Sequence, residues 1–315
     1  MRKFIAVIST IFVFCAIGSG QKNSNQQNDA PLKISLCELQ NSPADYNQKL
    51  IEISGFVSHG FEDFSIFDPT CNSHQSIWLE YGGKISSETI YCCGDTAKPN
   101  RSKNLVVENF PISLVNDGNF QSLHKLLKRP PGAIVKATIS GRFFAGKKKQ
   151  YKEKISWEGY GHFGCCSLFA IQQVIAVDTT ERDDLDFRST ADQPQTSGVG
   201  SGFTYLDTYT SSQEVIKLQQ KAEIEKINWR FDNPQKVAAE FLAHHLKIDE
   251  KQIADIKQTR QTPSRIIYEW KNLATQKDFM IVVSRPYWLA FYAKDSQKVI
   301  WTVIAAYEIC KKNCE

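Results

Sequence analysis

Most of the short signatures that announce an enzyme are missing from this chain. It has no G-x-S-x-G, no H-E-x-x-H, no C-x-x-C and no glycine loop opening a strand–helix unit. Those absences remove the usual marks of serine hydrolases, zinc peptidases, thioredoxin-like oxidoreductases and phosphate-cradling folds. Gly198, Gly200 and Gly202 lie close together, but in linker-like surroundings. Charge of one sign is also lacking. There are 38 basic and 34 acidic residues, and without Arg2 and Lys3 the count is 36 against 34. Whole-molecule charge therefore points to neither a nucleic-acid nor a membrane partner. Beyond the N-terminal stretch no run is apolar enough to span a bilayer, and no internal repeat is visible.

What the chain does carry is nine cysteines and a leader-like start. Arg2 and Lys3 precede an apolar run from Phe4 to Ile17. Ala16-Ile17-Gly18 and Gly18-Ser19-Gly20 both offer the small residues that a signal peptidase reads. The run is shorter than the roughly 20 apolar residues of a spanning helix. Phe14 stands where a lipoprotein signal needs a small residue before Cys15. Residues 1–20 are expected to be a removed signal peptide, and the mature protein to be exported, periplasmic or secreted.

Cys37, Cys71, Cys92, Cys93, Cys165, Cys166, Cys310 and Cys314 remain. An even number behind an export signal reads as a disulfide framework. Neighbouring residues on a strand face opposite ways, so the members of each doublet are expected to bond elsewhere than to each other. The expectation is three bonds within residues 31–179. Cys37 and Cys71 each take one doublet member, and the two members left over join. A fourth bond links Cys310 and Cys314. The alternative is a metal site, because Cys71 with His74 and His162 with Cys165 have spacings that suit zinc or copper. No cofactor is otherwise implied.

Composition divides the rest. Residues 21–30 are polar and expected to be unfolded. Residues 31–179 alternate strand-like runs with turns. Residues 180–210, with ERDD and then QPQTSGVGSG, read as a linker. Residues 211–315 return to amphipathic patterns. The predicted class is α+β: a β-barrel, then a smaller α+β domain with helices on an antiparallel sheet. In the first domain strands are expected at 50–57, 61–68, 76–81, 133–144 and 167–178, with a helix at 120–128 between the third and fourth. This is the element order of an OB-fold barrel, and Gly141 inside the long fourth strand suits a barrel corner. In the second domain helices at 211–229, 234–247 and near 250–256 precede strands at 265–270, 278–284, 287–292 and 298–307. Asn233-Pro234 reads as an N-cap followed by Pro at the first helical position.

The stretch CELQNSPADYNQKLIEISGFVSHGFEDFSIFD, residues 37–68, resembles the opening of exported bacterial OB-fold domains. Tyr46, Gly55, Phe64 and Asp68 stand at the places of the turn tyrosine, the strand-ending glycine and the acidic-aromatic second strand. The resemblance implies a fold and carries no functional residue with it.

Charge is concentrated in one region. From Lys98 to Lys154 there are thirteen basic residues and three acids, Glu108, Asp117 and Glu153. The densest part, GKKKQYKEK at 146–154, is predicted to be the tip of a long hairpin. OB-folds bind oligonucleotides or oligosaccharides on a face flanked by such loops. The candidate contact residues are Arg142, Phe144, Lys147, Lys148, Lys149, Tyr151, Lys152 and Trp157. Export argues against nucleic acid and points to an anionic glycan, a lipid headgroup or another envelope protein. The competing explanation is a solvated hairpin whose lysines guard an edge strand. Glu62, Asp63 and Glu80 read as surface-turn carboxylates. His244 and His245 project about 100° apart on a helix and read as ordinary helix histidines. No catalytic residue is assigned. The favoured function is a non-catalytic exported binding or envelope protein. The alternative is an exported metal-binding or thiol-redox protein built on the Cys/His cluster.

Overall fold

The computed structural model describes residues 30–60, 63–71, 77–87, 101–128, 133–151, 154–161, 164, 166–179, 182–187, 202–206, 212–253 and 255–310. In chain order, β1 (Leu32–Lys33) and α1 (Leu36–Asn41) lead into β2 (Leu50–His59), β3 (Phe64–Phe67) and β4 (Ile77–Tyr81). A small hairpin, β5 (Leu105–Val107) and β6 (Phe110–Ile112), and α2 (Gly118–Leu127) precede β7 (Ala133–Phe144). A second hairpin, β8 (Lys147–Tyr151) and β9 (Lys154–Glu158), precedes β10 (Ser167–Val177).

The strands pair in the order β2-β3-β4-β10-β7, and β7 returns to β2, closing a five-stranded barrel. Every pairing in the ring is antiparallel except β4 with β10. The arrangement is compatible with an OB-like fold. Alternation along the strands fills the barrel with Ile51, Ile53, Val57, Phe64, Ile66, Leu79, Tyr81, Ile139, Phe143, Phe169 and Ile171. Helix α2 starts where Asp117 accepts the Phe120 backbone N–H at 3.0 Å. It buries Phe120, Leu123 and Leu127 against the same core. Gly141 sits where β7 bends over β10. A Cβ there would lie 2.1 Å from the Ala170 carbonyl oxygen, so only glycine fits.

The C-terminal part begins with β11 (Gly202–Tyr205), α3 (Ser212–Ile224), α4 (Trp229–Asp232) and α5 (Pro234–Leu246). It continues through β12 (Lys257–Gln261), β13 (Arg265–Asn272), β14 (Lys277–Ser284), a 3-10 turn at Tyr287–Phe291 and β15 (Thr302–Cys310). Its antiparallel sheet runs β11-β15-β14-β13-β12. Helix α5 starts at the expected cap: Asn233 accepts from the Lys236 N–H at 3.0 Å, with Pro234 at the first helical position. It lays Val237, Phe241 and Leu242 on Ile266, Tyr268, Phe279, Ile281 and Trp301 of the sheet side.

Three expectations for this part are corrected. Residues 287–291 form a 3-10 turn, not a strand, because Tyr287 and Leu289 are drawn onto the barrel. The helix expected over 211–229 stops at Ile224 and resumes as α4. The sheet also gains β11 and β12. β12 is exposed throughout, so it carries no apolar alternation from which it could be read.

The two parts share a hydrophobic cluster. Phe56 and Ile134, pointing out of the barrel, meet Leu185, Val215, Ile216, Ala222, Tyr287, Leu289, Val299 and Ile300. Residues 182–187, read from composition as the start of a linker, lie in this junction. Leu185 is buried, and the equally buried Asp186 pairs with Arg265 at 2.6 Å. Asp186 accepts the Tyr287 N–H at 2.9 Å and donates its own to Arg285 at 2.7 Å.

Cys37 bonds Cys71, with the Cα atoms 5.0 Å apart. This corrects the expectation that each of them takes a doublet member. Cys37 lies in α1, and Cys71 lies in the turn after β3, where its N–H donates to the Asp68 carbonyl at 3.1 Å. Cys166 is also disulfide-bonded. Cys310 ends β15, and Cys92, Cys93, Cys165 and Cys314 lie outside the described residues.

Candidate functional site

The lysine-rich segment forms the hairpin β8–β9 between the fourth and fifth strands of the barrel. It is a two-stranded sheet of its own and does not extend the barrel sheet. In register, Lys147 is opposite Glu158, Lys148 opposite Trp157, Lys149 opposite Ser156 and Tyr151 opposite Lys154. Lys147 is exposed. Lys152 lies outside the described residues.

The stem of this hairpin is firmly held. The Ala145 N–H donates to Asn47 Oδ1 at 2.9 Å and the Gly146 N–H to Ser167 Oγ at 3.0 Å. On the returning side Tyr160 and Cys166 exchange backbone hydrogen bonds at 2.8 and 3.1 Å. Gly161, at φ +72°, lies on the Trp78 indole. A Cβ there would be 2.3 Å from the ring, so the close approach and the left-handed backbone both call for glycine.

Beneath the stem is a second cluster on the outside of the barrel. It contains Trp78, Leu105, Val107, Ile112, Phe144, Cys166, Leu168 and Ala170. The hairpin β5–β6 supplies three of these. Its turn residues Glu108 and Asn109 both have positive φ, as a tight two-residue hairpin requires. Glu108 is tied down by Gln48 Nε2 at 2.8 Å and the Tyr160 hydroxyl at 3.2 Å.

Two of the expected contact residues belong to this support. Phe144 is fully buried, with Phe110 and Tyr160 rings 6.2 and 6.4 Å away, so it has no surface to offer a ligand. Arg142 is half-buried, donates to the Gln48 carbonyl and lies 4.6 Å over the Phe110 ring. Burial lowers its pKa from the ordinary arginine value, and the guanidinium remains charged. Lys147, Lys148, Lys149 and Tyr151 lie on β8 and Trp157 on β9.

The outward face of β2 is covered by the chain itself around Phe56, while Ser54 on the same strand is exposed. The T-shaped contacts of Phe56 with Tyr287 and Phe291 have centroids 6.2 and 5.5 Å apart. The Lys136 ammonium lies 4.3 Å over Phe291 and 5.1 Å over Phe56. Burial lowers its pKa, against the pull of Asp68 and Asp178. Those two acids accept from Tyr292 (3.0 Å) and Tyr287 (2.6 Å) respectively. On β4, Trp78 is under the hairpin stem. Glu80 is completely buried, not in a surface turn as its sequence surroundings suggest. It accepts from the Ser87 hydroxyl at 2.6 Å and pairs with Arg101 at 2.6 Å. Burial raises its pKa, and the Arg101 charge works against that rise. Arg101 also donates to the carbonyls of Tyr81 and Ile85, so the pair fastens the segment that follows β4.

The metal alternative loses one ligand, since the Cys71 sulfur is committed to Cys37. His74, His162 and Cys165 lie outside the described residues. Among the described residues no three His, Cys, Asp or Glu side chains come together as a metal ion would need. No helix among them is long and apolar enough to cross a membrane. Comparisons with protein-family models, with curated proteins and with solved structures find nothing that matches this chain.

Proposed function

We propose that this is an exported, non-catalytic binding protein with an OB-like domain, and that the hairpin β8–β9 is its contact surface for an anionic partner. The observation that carries the reading is the position of this hairpin. Parts of the outward barrel surface are taken up here by the protein's own 3-10 turn, by the β5–β6 hairpin and by the segment held by Glu80. The lysine-rich hairpin forms a two-stranded sheet of its own on a fixed stem. Loops at this place flank ligands in OB-folds. A cation-rich strand on a rigid base suits polyanion capture, because little is lost in ordering the support. The disulfides fit an oxidising compartment.

The test is binding to an anionic glycan and to anionic lipid vesicles at two salt concentrations. Exposed charges are screened within about 10 Å at 0.1 M salt, so binding is expected to weaken steeply as salt rises. The variant Lys147→Glu, Lys148→Glu, Lys149→Glu is expected to lose most of it. Unchanged binding in that variant, or none in the parent protein, returns the hairpin to a solubilising loop.

A further inference from the structure

A second candidate site lies in the C-terminal part, away from the hairpin. Helix α3 presents Glu214, Lys217, Leu218 and Lys221, and α5 presents Val237, Glu240, Phe241 and His244. Both sets follow the i, i+3, i+4, i+7 stripe of a helix face. Two such stripes ordinarily interlock at 8–10 Å between axes. Here they border a cleft of about 450 Å³ whose floor is Thr302 and Val303 at the start of β15.

The helices stand apart because each is fastened elsewhere. α3 buries Val215, Ile216 and Ala222 toward the barrel. Its Gln219 side chain donates to the Lys298 carbonyl at 2.8 Å and accepts from the Ile300 N–H at 2.9 Å. α5 is committed to the sheet through Ala238 and Leu242. The cleft is therefore built into the fold, and its size falls in the range of small-molecule sites.

Its chemistry is two-part. Leu218, Val237, Phe241 and Val303 give an apolar interior. The rim holds three cations and two carboxylates, and the pairing among them is uneven. Arg230 is engaged by Glu240 and stacks 4.6 Å over Trp229. Glu214 and His244 have partners of their own. Lys221 reaches Glu225 only at 4.0 Å, with both side chains more than half exposed. Lys217 makes no ion pair among the described residues. Two ammonium groups one helical turn apart thus border an apolar cleft, Lys217 with no ion pair among the described residues and Lys221 with only the long, exposed one to Glu225.

We infer that this cleft binds a monoanionic amphiphile, its hydrocarbon tail against Phe241 and Val303 and its carboxylate at Lys217 and Lys221. A cationic amphiphile would meet the same lysines as like charges. A neutral one would leave them unused.

The experiment measures binding of decanoate, decanol and decyltrimethylammonium to the whole protein by calorimetry, below their micelle concentrations. Decanoate is expected to bind once per chain and at least about tenfold more tightly than either of the others. The double variant Lys217→Glu, Lys221→Glu should weaken decanoate by at least about tenfold and leave decanol unchanged. Leu218→Trp, which fills the cleft from a half-buried position, should abolish decanoate binding while the melting curve stays cooperative. The hairpin triple-glutamate variant should bind decanoate as the parent does, which separates this site from the proposed polyanion contact. Equal affinity for decanoate and decyltrimethylammonium, an unaffected double variant, or no saturable binding overturns the inference.

Discussion

His124 shows how one side chain can set a pH limit on the barrel. It sits on α2, stacked on Phe120 at 5.6 Å and edge-on to Tyr81 at 5.7 Å, where α2 closes the barrel end. Burial lowers its pKa first, with Lys128 and His59 adding positive neighbours. A histidine in an unfolded chain titrates near about 6.5. When the folded value lies below that, the unfolded state takes up the proton first as the pH falls. Stability from this group is therefore complete above the unfolded value and is lost on acidification toward the folded one. The melting temperature is expected to drop between pH 7.5 and 5.5, and His124→Phe is expected to flatten that drop. An unchanged slope in the variant would place the titration elsewhere. The buried Glu80 works in the opposite sense. Its raised pKa favours the protonated folded form, so its contribution is greatest at acid pH and declines as pH rises through the folded value.

At the level of elements, the strap of residues 182–187 is held to the sheet by the Asp186–Arg265 pair, both side chains almost wholly buried. Removing one partner of such a pair leaves an uncompensated charge and typically costs about 3–5 kcal/mol. Arg265→Met is expected to destabilise by about that much in urea unfolding, and Asp186→Leu with Arg265→Met to recover most of it. A single variant as stable as the parent would show that the pair does not hold the strap. Composition gave no hint of this element, because its acids and arginine read as solvated. Strands with clean alternation were legible: β7 over Ala133–Phe144 matches its expected limits, and the Asn233 cap marks where α5 begins. The run Tyr-Trp-Leu-Ala-Phe at 287–291 was not, since a short apolar segment fits strand and turn equally well until its partner is known. The hairpin was legible from its charge. That Phe144 belongs beneath it was not, because burial on the outside of a barrel depends on β5–β6, which is far away in sequence.

Over the whole molecule, sequence suggests a cut between residues 180 and 211 that frees two domains, whereas the shared cluster around Phe56, Leu185, Val215 and Tyr287 gives the two parts a common interior. Cleavage is expected in the Pro/Gly/Ser-rich stretch 188–201. The nicked halves are expected to run as one species in gel filtration and to separate only in denaturant. Two independently eluting folded fragments would show that the cluster is not adhesive.

The strand order of the C-terminal sheet also bears on time. Every barrel strand is complete once residue 177 has been made, so the N-terminal part can fold while the rest is still being synthesised. The sheet cannot. Its second position belongs to β15, flanked by β11 from about a hundred residues earlier and by β14. Until β15 arrives, β11 has no strand neighbour, and until residues 287–300 arrive the outward aromatic face of the barrel lacks Tyr287, Leu289 and Ile300 that cover it. A nascent chain would therefore spend an interval with Phe56 and Ile134 uncovered, and chaperone demand should be concentrated in that interval.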